Sequence, residues 1–299
     1  MAGQTDRREL VHKLMLNGQA KVIAALEAFE PEVRFAGRTW ERPGGGGGAS
    51  RVMADGAVLE RAGVNVSAVH GASVPPSLAA KHPAALGQPF FATGLSIVVH
   101  PQNPYVPSFH ANYRYFETGD IAWFGGGADL TPHYLFDEDV NHFHGQLEAQ
   151  CKRHGVDYDE LRRTCDEYFF IRHRNERRGV GGIFFDELPA GDPAGFERVF
   201  AFVQDGIDTI ISSYVPIVGR RHETPFGERE RNWQLHRRGR YVEFNLVYDR
   251  GTTFGLQTGG DIEAILMSLP PTTKWSYDFK PEPGSAEARM LDVLTGPAK

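Results

Sequence analysis

Cysteine is nearly missing from this chain: Cys151 and Cys165 are the only two in 299 residues. That count rules out a disulfide framework and a four-cysteine zinc site, and it fits a reducing, cytoplasmic setting. No stretch approaches the ~18 consecutive apolar residues that a membrane span needs. The opening MAGQTDRRELVHKLML mixes charges and lacks the apolar run of a secretory signal. A basic excess is lacking too. Lys and Arg total 32 against 38 for Asp and Glu, a formal charge of -6, which argues against a general nucleic-acid binder. Internal repeats, heptads and long Pro- or Gly-rich linkers are absent, so a single domain over residues 1–299 is expected, and 41% hydrophobic content can fill its core.

Periodicity supplies the coarse organisation. Asp6 and Glu9 cap an N-terminal helix whose interrupted apolar stripe, Leu10, Leu14, Ala25, Leu26 and Phe29, ends before Pro31. Strands are expected over residues 34–40, 51–59 and 64–69, with Gly44 to Gly48 as a flexible hairpin tip or lid. Those glycines are followed by Ala49-Ser50-Arg51, which a phosphate-binding loop does not allow, and no strand is followed by Gly-x-Gly-x-x-Gly. Helices are expected over residues 138–154 and 157–178, a strand over 179–188, and a buried helix from the Asp192-Pro193 cap through Ile211. The spacing predicts a hairpin of residues 232–237 and 240–247 around Arg238-Gly239, and then a short helix opened by Asp261. Strands linked by hairpins come first and helices later, which favours an α+β fold: a large antiparallel or mixed sheet flanked by helices on both faces.

Polar residues inside apolar strand patterns mark the candidate site. His110, Asn112 and Arg114 alternate, so an imidazole, a carboxamide and a guanidinium project from one face of a strand. Ser96 and His100 share a parity on the strand before, opposite Leu95, Ile97 and Val99. A buried guanidinium cannot shed its proton, so Arg114 calls for a carboxylate or phosphate from the protein or a ligand. Asp129 follows a triglycine, where backbone can approach a ligand closely, and Asp249 precedes Arg250-Gly251 at a strand end; each is a possible base, though turn chemistry is the ordinary role of such aspartates.

Arginines also cluster at Arg172, Arg174, Arg177 and Arg178, and at Arg229, Arg231, Arg237, Arg238 and Arg240. Interleaved glutamates make solvated ion pairs the default for most, yet guanidiniums near aromatics suit a flat apolar substrate carrying several carboxylates. His100, His110, His144 and His173 lie on segments expected to face inward, with His142 facing water. Their spacing fits neither His-Glu-x-x-His nor a facial triad, which leaves proton transfer and metal ligation both open.

The motifs GVNVSAVHG, VVHPQNPYVPSFHANYRYF, WFGGGADLTP, HRNERRGVGGIFFDEL, GERERNWQLHRRGRYVEFNLVYDRGTTFGLQTGG and ILMSLPP together resemble the oxygen-dependent coproporphyrinogen III oxidase family over nearly the full length. The resemblance implies oxidative decarboxylation of two propionates of coproporphyrinogen III to vinyl groups, giving protoporphyrinogen IX, CO2 and H2O2 in haem biosynthesis, with dioxygen as co-substrate and no organic cofactor. It implies substrate-binding roles for Ser96, Asn112, Tyr113, Arg114, Arg178, Gly259, Gly260 and Asp261. His110 is implied as proton donor, with Asp129, Asp249 and Arg250 around the macrocycle. It further implies a divalent metal on His100, His110, His144 and His173, and a homodimer interface around residues 241–275. Some relatives carry Arg where this chain has Asp261, and a carboxylate cannot clamp a propionate; if Asp261 caps the next helix, the Gly259 and Gly260 amides remain for binding. A metal-dependent oxygenase and a non-catalytic tetrapyrrole carrier are the competing readings.

Overall fold

A computed structural model describes residues 2–42, 45–257 and 260–295. Among these, seven strands form one antiparallel sheet in the order β1-β2-β3-β4-β5-β6-β9. They are β1 (Ala36–Glu41), β2 (Gly46–Ala54), β3 (Leu59–Gly71), β4 (Phe90–Pro101), β5 (Ser108–Thr118), β6 (Ile121–Thr131) and β9 (Gly181–Pro189). Strands consecutive in the chain are neighbours in the sheet through β6, with a longer link between β3 and β4, and a helical insertion precedes β9. β7 (Phe170–Ile171) and β8 (Glu176–Arg177) make a separate two-residue ladder.

The strands alternate as half-buried antiparallel strands should. Val64, Val66, Leu95, Ile97, Ala111, Tyr113 and Tyr115 point to the back face and are buried. There they meet α1 (Ala2–Glu27), α3 (Asp137–Arg153) and α5 (Pro193–Arg221). On α1 the inward residues Val11, Met15, Val22 and Leu26 recur at helical spacing; on α5, Phe196, Val199, Val203, Ile207, Ile210, Tyr214 and Ile217 do the same. Each such side chain contributes about 1.5–3 kcal/mol on burial. Asp192 accepts from Gly195 N and Pro193 fills the first turn, as the sequence indicates. Short α2 (Pro76–Ala79) bridges β3 and β4, and α4 (Tyr158–Tyr168) lies along β9.

The front face is covered at one end by α6 (Glu228–Val247), α7 (Arg250–Gln257) and α8 (Ile262–Leu266), while α9 (Ala286–Thr295) packs beside β8. Here the structure corrects three expectations. Residues 232–247 are not a hairpin but part of α6. Glu230 accepts from Gly227 N at 2.8 Å, and Trp233, Arg237, Tyr241 and Phe244 are buried at three- and four-residue intervals; the short alternation at 243–248 conceals that longer period. Gly239 is no turn: a Cβ there would meet Lys274 O and the Trp275 ring at 3.1 Å, so glycine lets that strand of chain lie against the helix. The helix expected over 157–178 stops at Tyr168. Arg178 N donates to Phe169 O, closing a small hairpin whose corner, Asn175, takes φ +53, a left-handed conformation that asparagine tolerates. Last, of the Gly44 to Gly48 run expected as a loose tip, Gly46 to Gly48 pair with Val69 to Ser67 of β3, and Gly44 lies outside the described residues.

Candidate active site

Register places the polar residues. Across β4 and β5, Ser96 faces Asn112; across β5 and β6, His110 faces Asp129, Asn112 faces Gly127 and Arg114 faces Gly125. Small partners leave room for large polar groups. A Cβ at Gly125 would stand 2.8 Å from Arg114 Nε and Nη2, so glycine allows the guanidinium to lie across β6.

His110 Nδ1 donates to Asp129 Oδ1 at 2.8 Å. Asp129 is 1% exposed. Arg178 Nη2 reaches both of its oxygens at 2.7 Å, Arg178 Nη1 donates to Asn245 Oδ1, and the guanidinium sits over Phe169, Tyr241 and Phe244 at 4.1, 4.5 and 4.8 Å. Burial alone would raise the Asp129 carboxyl, but the Arg178 charge and the His110 bond overcome it and hold the group below its ordinary value. An ionised Asp129 accepting from Nδ1–H fixes the orientation of the His110 ring, so Nε2, at the partly exposed ring edge, is the nitrogen left to exchange a proton with a ligand.

Arg114, 40% exposed in its side chain, donates from Nη2 to Asp186 Oδ1 at 2.5 Å, and Arg250, 56% exposed, reaches the other oxygen of the same carboxylate at 3.3 Å. Two guanidiniums thus share one carboxylate at an open surface, leaving a net positive charge. Beside them Asp249 accepts from Thr252 N at 2.7 Å and from Tyr168 OH at 2.9 Å, capping α7 instead of ending a strand. Burial would raise this carboxyl as well; the donors from Thr252 and Tyr168, with His110 nearby, lower it. Burial and the Asp249 charge push the Tyr168 phenol up to about 12, so it stays a donor. Its ring stacks on Phe184 at 4.3 Å and 9°, and Arg250 lies against both rings, 4.8 Å from Tyr168 and 5.9 Å from Phe184.

Seven of the sequence candidates therefore converge: Ser96, His110, Asn112, Arg114, Asp129, Asp249 and Arg250. Others do not. Tyr113 has the opposite parity and lies in the back core, where a Cβ on Gly206 would meet its hydroxyl at 2.6 Å; its side chain cannot join a ligand on the front. Arg178 is 2% exposed and occupied by Asp129, so it is a support for that carboxylate and not a clamp for a ligand. Gly260 N already donates to Gly255 O, Gly259 lies outside the described residues, and Asp261 caps α8 at Ala264 N while pairing with Arg38. No described glycine amide there remains for binding.

The four histidines implied as metal ligands are not brought together. His100 lies under α6, its Nε2 donating to Ser268 O and its Nδ1 accepting from Ser108 OH; burial, with Arg238 close by, takes it down to about 3. His144, inward on α3 as expected, donates from Nε2 to Val180 O and accepts from Tyr158 OH, and burial takes it down to about 4. His142 lies at the water-exposed edge of α3, where its Nε2 donates to Ser212 O. His173 bonds Tyr248 and Glu243 through its two nitrogens. Among the described residues no group of three or more His, Cys, Asp or Glu side chains is placed to hold an ion. These residues do not fit a common metal centre within one chain.

Sequence reasoning missed Asp186 and Tyr168. Both fit strand and helix patterns; Asp186 shares the parity of Phe184 inside β9, and a carboxylate within that apolar strand is the one available signal.

One sheet face joins an aspartate-oriented imidazole, ionised carboxylates and two half-exposed guanidiniums, groups that can exchange protons and pair with an anion. The family model for coproporphyrinogen III oxidase matches residues 10–299, nearly the whole chain. The chain belongs to the coproporphyrinogen III oxidase family. No helix among the described residues is long and apolar enough to cross a membrane.

Proposed function

We propose that this protein carries out the oxygen-dependent form of the family's reaction. Two propionate arms of coproporphyrinogen III become vinyl groups, giving protoporphyrinogen IX, with dioxygen as the oxidant and no organic cofactor. For each arm, one propionate carboxylate, one dioxygen and one proton yield one vinyl, one CO2 and one H2O2. The observation that carries this reading is the Asp129-oriented His110 beside Asp249 and the shared Arg114–Asp186–Arg250 site.

In this reading Arg114 and Arg250 receive the propionates of the bound ring, while Asn112 and Ser96 line its floor. Asp249, held ionised by Thr252 and Tyr168, accepts a pyrrole N–H proton, and the electron-rich ring carbon then adds dioxygen. The peroxide takes a β-hydrogen of the arm as the carboxyl carbon departs as CO2, and the ring C–O bond breaks to release hydroperoxide. Asp249 returns its proton to the pyrrole nitrogen, and His110, when protonated on Nε2 against the ionised Asp129, supplies the proton that completes H2O2. Asp129 keeps His110 in the required orientation, and Arg178 keeps Asp129 ionised. Positioning and charge complementarity carry most of the work, because the substrate brings its own electron-rich ring.

The protein works as a cytoplasmic homodimer on this account. Both cysteines are unpaired and buried, as a reducing compartment leaves them, and Leu246, Val247, Leu256, Ile262 and Trp275 expose apolar surface within residues 241–275. Sedimentation of wild type against Val247→Glu tests the pairing: a dimer that becomes a monomer supports it, and a monomeric wild type refutes it. The reaction itself is tested by incubating the protein with coproporphyrinogen III in air and under nitrogen. Vinyl product in air alone supports the oxygen-dependent reading, equal product under nitrogen refutes it, and a ligand bound but unchanged in air favours a carrier.

A further inference from the structure

One residue of each of four adjacent strands stands in register on the front face: Ser50 of β2 faces Asn65 of β3, Asn65 faces Ser96 of β4, and Ser96 faces Asn112 of β5. The row runs across three strand spacings, ~14 Å. Solvent-facing positions of a sheet usually carry long charged or β-branched side chains. These are short, neutral and hydrogen-bonding instead, which leaves a shallow trough with a polar floor. At one end it meets the Arg114 and Arg250 pair. At the other, Arg38 of β1 faces Ser50 and pairs with Asp261, and beside it lies the Trp40 indole, seated over Gly48, whose added Cβ would clash with the ring at 2.3 Å.

The trough holds polar atoms without partners. Asn112 Oδ1 and Trp40 Nε1 are both buried atoms that make no hydrogen bond among the described residues. Ser50 OH donates to Asn65 Oδ1 at 2.9 Å, which turns the Asn65 amide N–H groups away from Ser50 and toward the trough. An acceptor near the middle and donors at the far end form a pattern that a protein has no reason to leave unsatisfied, since each buried orphan costs about 1–3 kcal/mol.

We infer that the Ser50–Asn65–Trp40 end of this row is a distal carboxylate subsite, an inference that rests on the oxidase reading for the identity of its ligand. A tetrapyrrole with extended arms spans the trough. When one propionate lies at Arg114 and Arg250, the pyrrole N–H groups lie over the Asn112 carbonyl, and a carboxylate on the opposite side of the ring reaches the Asn65 amide and the Trp40 N–H. Asn65 is then a substrate-binding residue that reads the number and spacing of the acidic arms. Arg38 at this end is held by Asp261, so the Asn65 amide and the Trp40 N–H are donors that grip a carboxylate without an unpaired cation that would draw the reacting arm away from the arginines.

The test uses coproporphyrin III, the oxidised macrocycle with the same four carboxylates, bound to the intact protein and followed by quenching of tryptophan fluorescence. Asn65→Asp places a like charge against the distal carboxylate and should weaken binding at least about tenfold, whereas Asn65→Lys should bind as tightly as wild type or more so. Opposite responses to opposite charges separate a ligand contact from a folding defect, which would weaken both. Equal Kd values in all three proteins, or equal loss in both variants, overturn the subsite. Turnover is scored separately: a wild type that binds coproporphyrin with this charge pattern but leaves coproporphyrinogen III unchanged in air sinks the oxidase reading and keeps the subsite.

Discussion

His110 and Asp129 face each other across β5 and β6, joined by one 2.8 Å hydrogen bond whose acceptor is buried and whose donor ring reaches the surface. The buried partner thus controls which nitrogen of the exposed ring can handle a proton. Asp129→Asn retains the shape but offers an amide where a carboxylate stood, so the ring orientation is no longer enforced and Arg178 loses its counter-charge. We expect kcat/KM for coproporphyrinogen III to fall by about 10²-fold or more and stability to drop by about 3–5 kcal/mol, read by steady-state kinetics and urea melts. Turnover within twofold of wild type contradicts the arrangement.

Asp186 occupies the guanidiniums that the substrate is to engage. Asp186→Asn removes the competing charge, and coproporphyrin III should then bind several-fold more tightly, whereas Arg114→Ala should weaken it about tenfold. A Kd unchanged by Asp186→Asn would mean that this carboxylate does not compete with the ligand for the arginines.

Stability should decline in mild acid. Burial lowers His100 to about 3 and His144 to about 4 in the folded protein, and lowers His133 well below its ordinary value. The unfolded chain takes up these protons near ~6.5 and the folded chain does so only at lower pH. The stabilisation is therefore complete above ~6.5 and is lost progressively as pH falls toward the folded values. Urea unfolding from ~pH 8 to ~pH 4.5 should show this fall, and His100→Gln should lessen its slope. A flat profile contradicts burial of the neutral rings.

Chelation should leave turnover unchanged. Three of the four histidines implied as ligands use both ring nitrogens in hydrogen bonds, and they lie on different layers of the fold. Activity lost with a chelator and restored by a divalent ion would show that ligands are assembled in some other way.

Much of the sheet and its site was legible because strand parity is local. The alternation at residues 110–114 places His110, Asn112 and Arg114 on one face whatever the rest of the chain does, and the Asp192-Pro193 cap fixes the start of α5 from two residues alone. What failed depended on distant partners. Gly239 read as a turn because the segment at Lys274 and Trp275 that requires it lies far along the chain. Arg178 read as a ligand clamp because nothing in HRNERRG reveals that the chain folds back to Asp129. Tyr113 was carried into the site by its neighbours, although its own parity already placed it on the other side. Asp186 matters only because β9 returns beside β6, bringing it to Arg114 and Arg250.

The most direct test of the account compares wild type with His110→Ala on coproporphyrinogen III, following dioxygen consumed and vinyl porphyrinogen formed in the same vessel. We predict one dioxygen consumed for each vinyl group made by wild type, and a rate lower by about 10²-fold or more in the variant. Product formed without dioxygen uptake, or at an equal rate in both proteins, would contradict it.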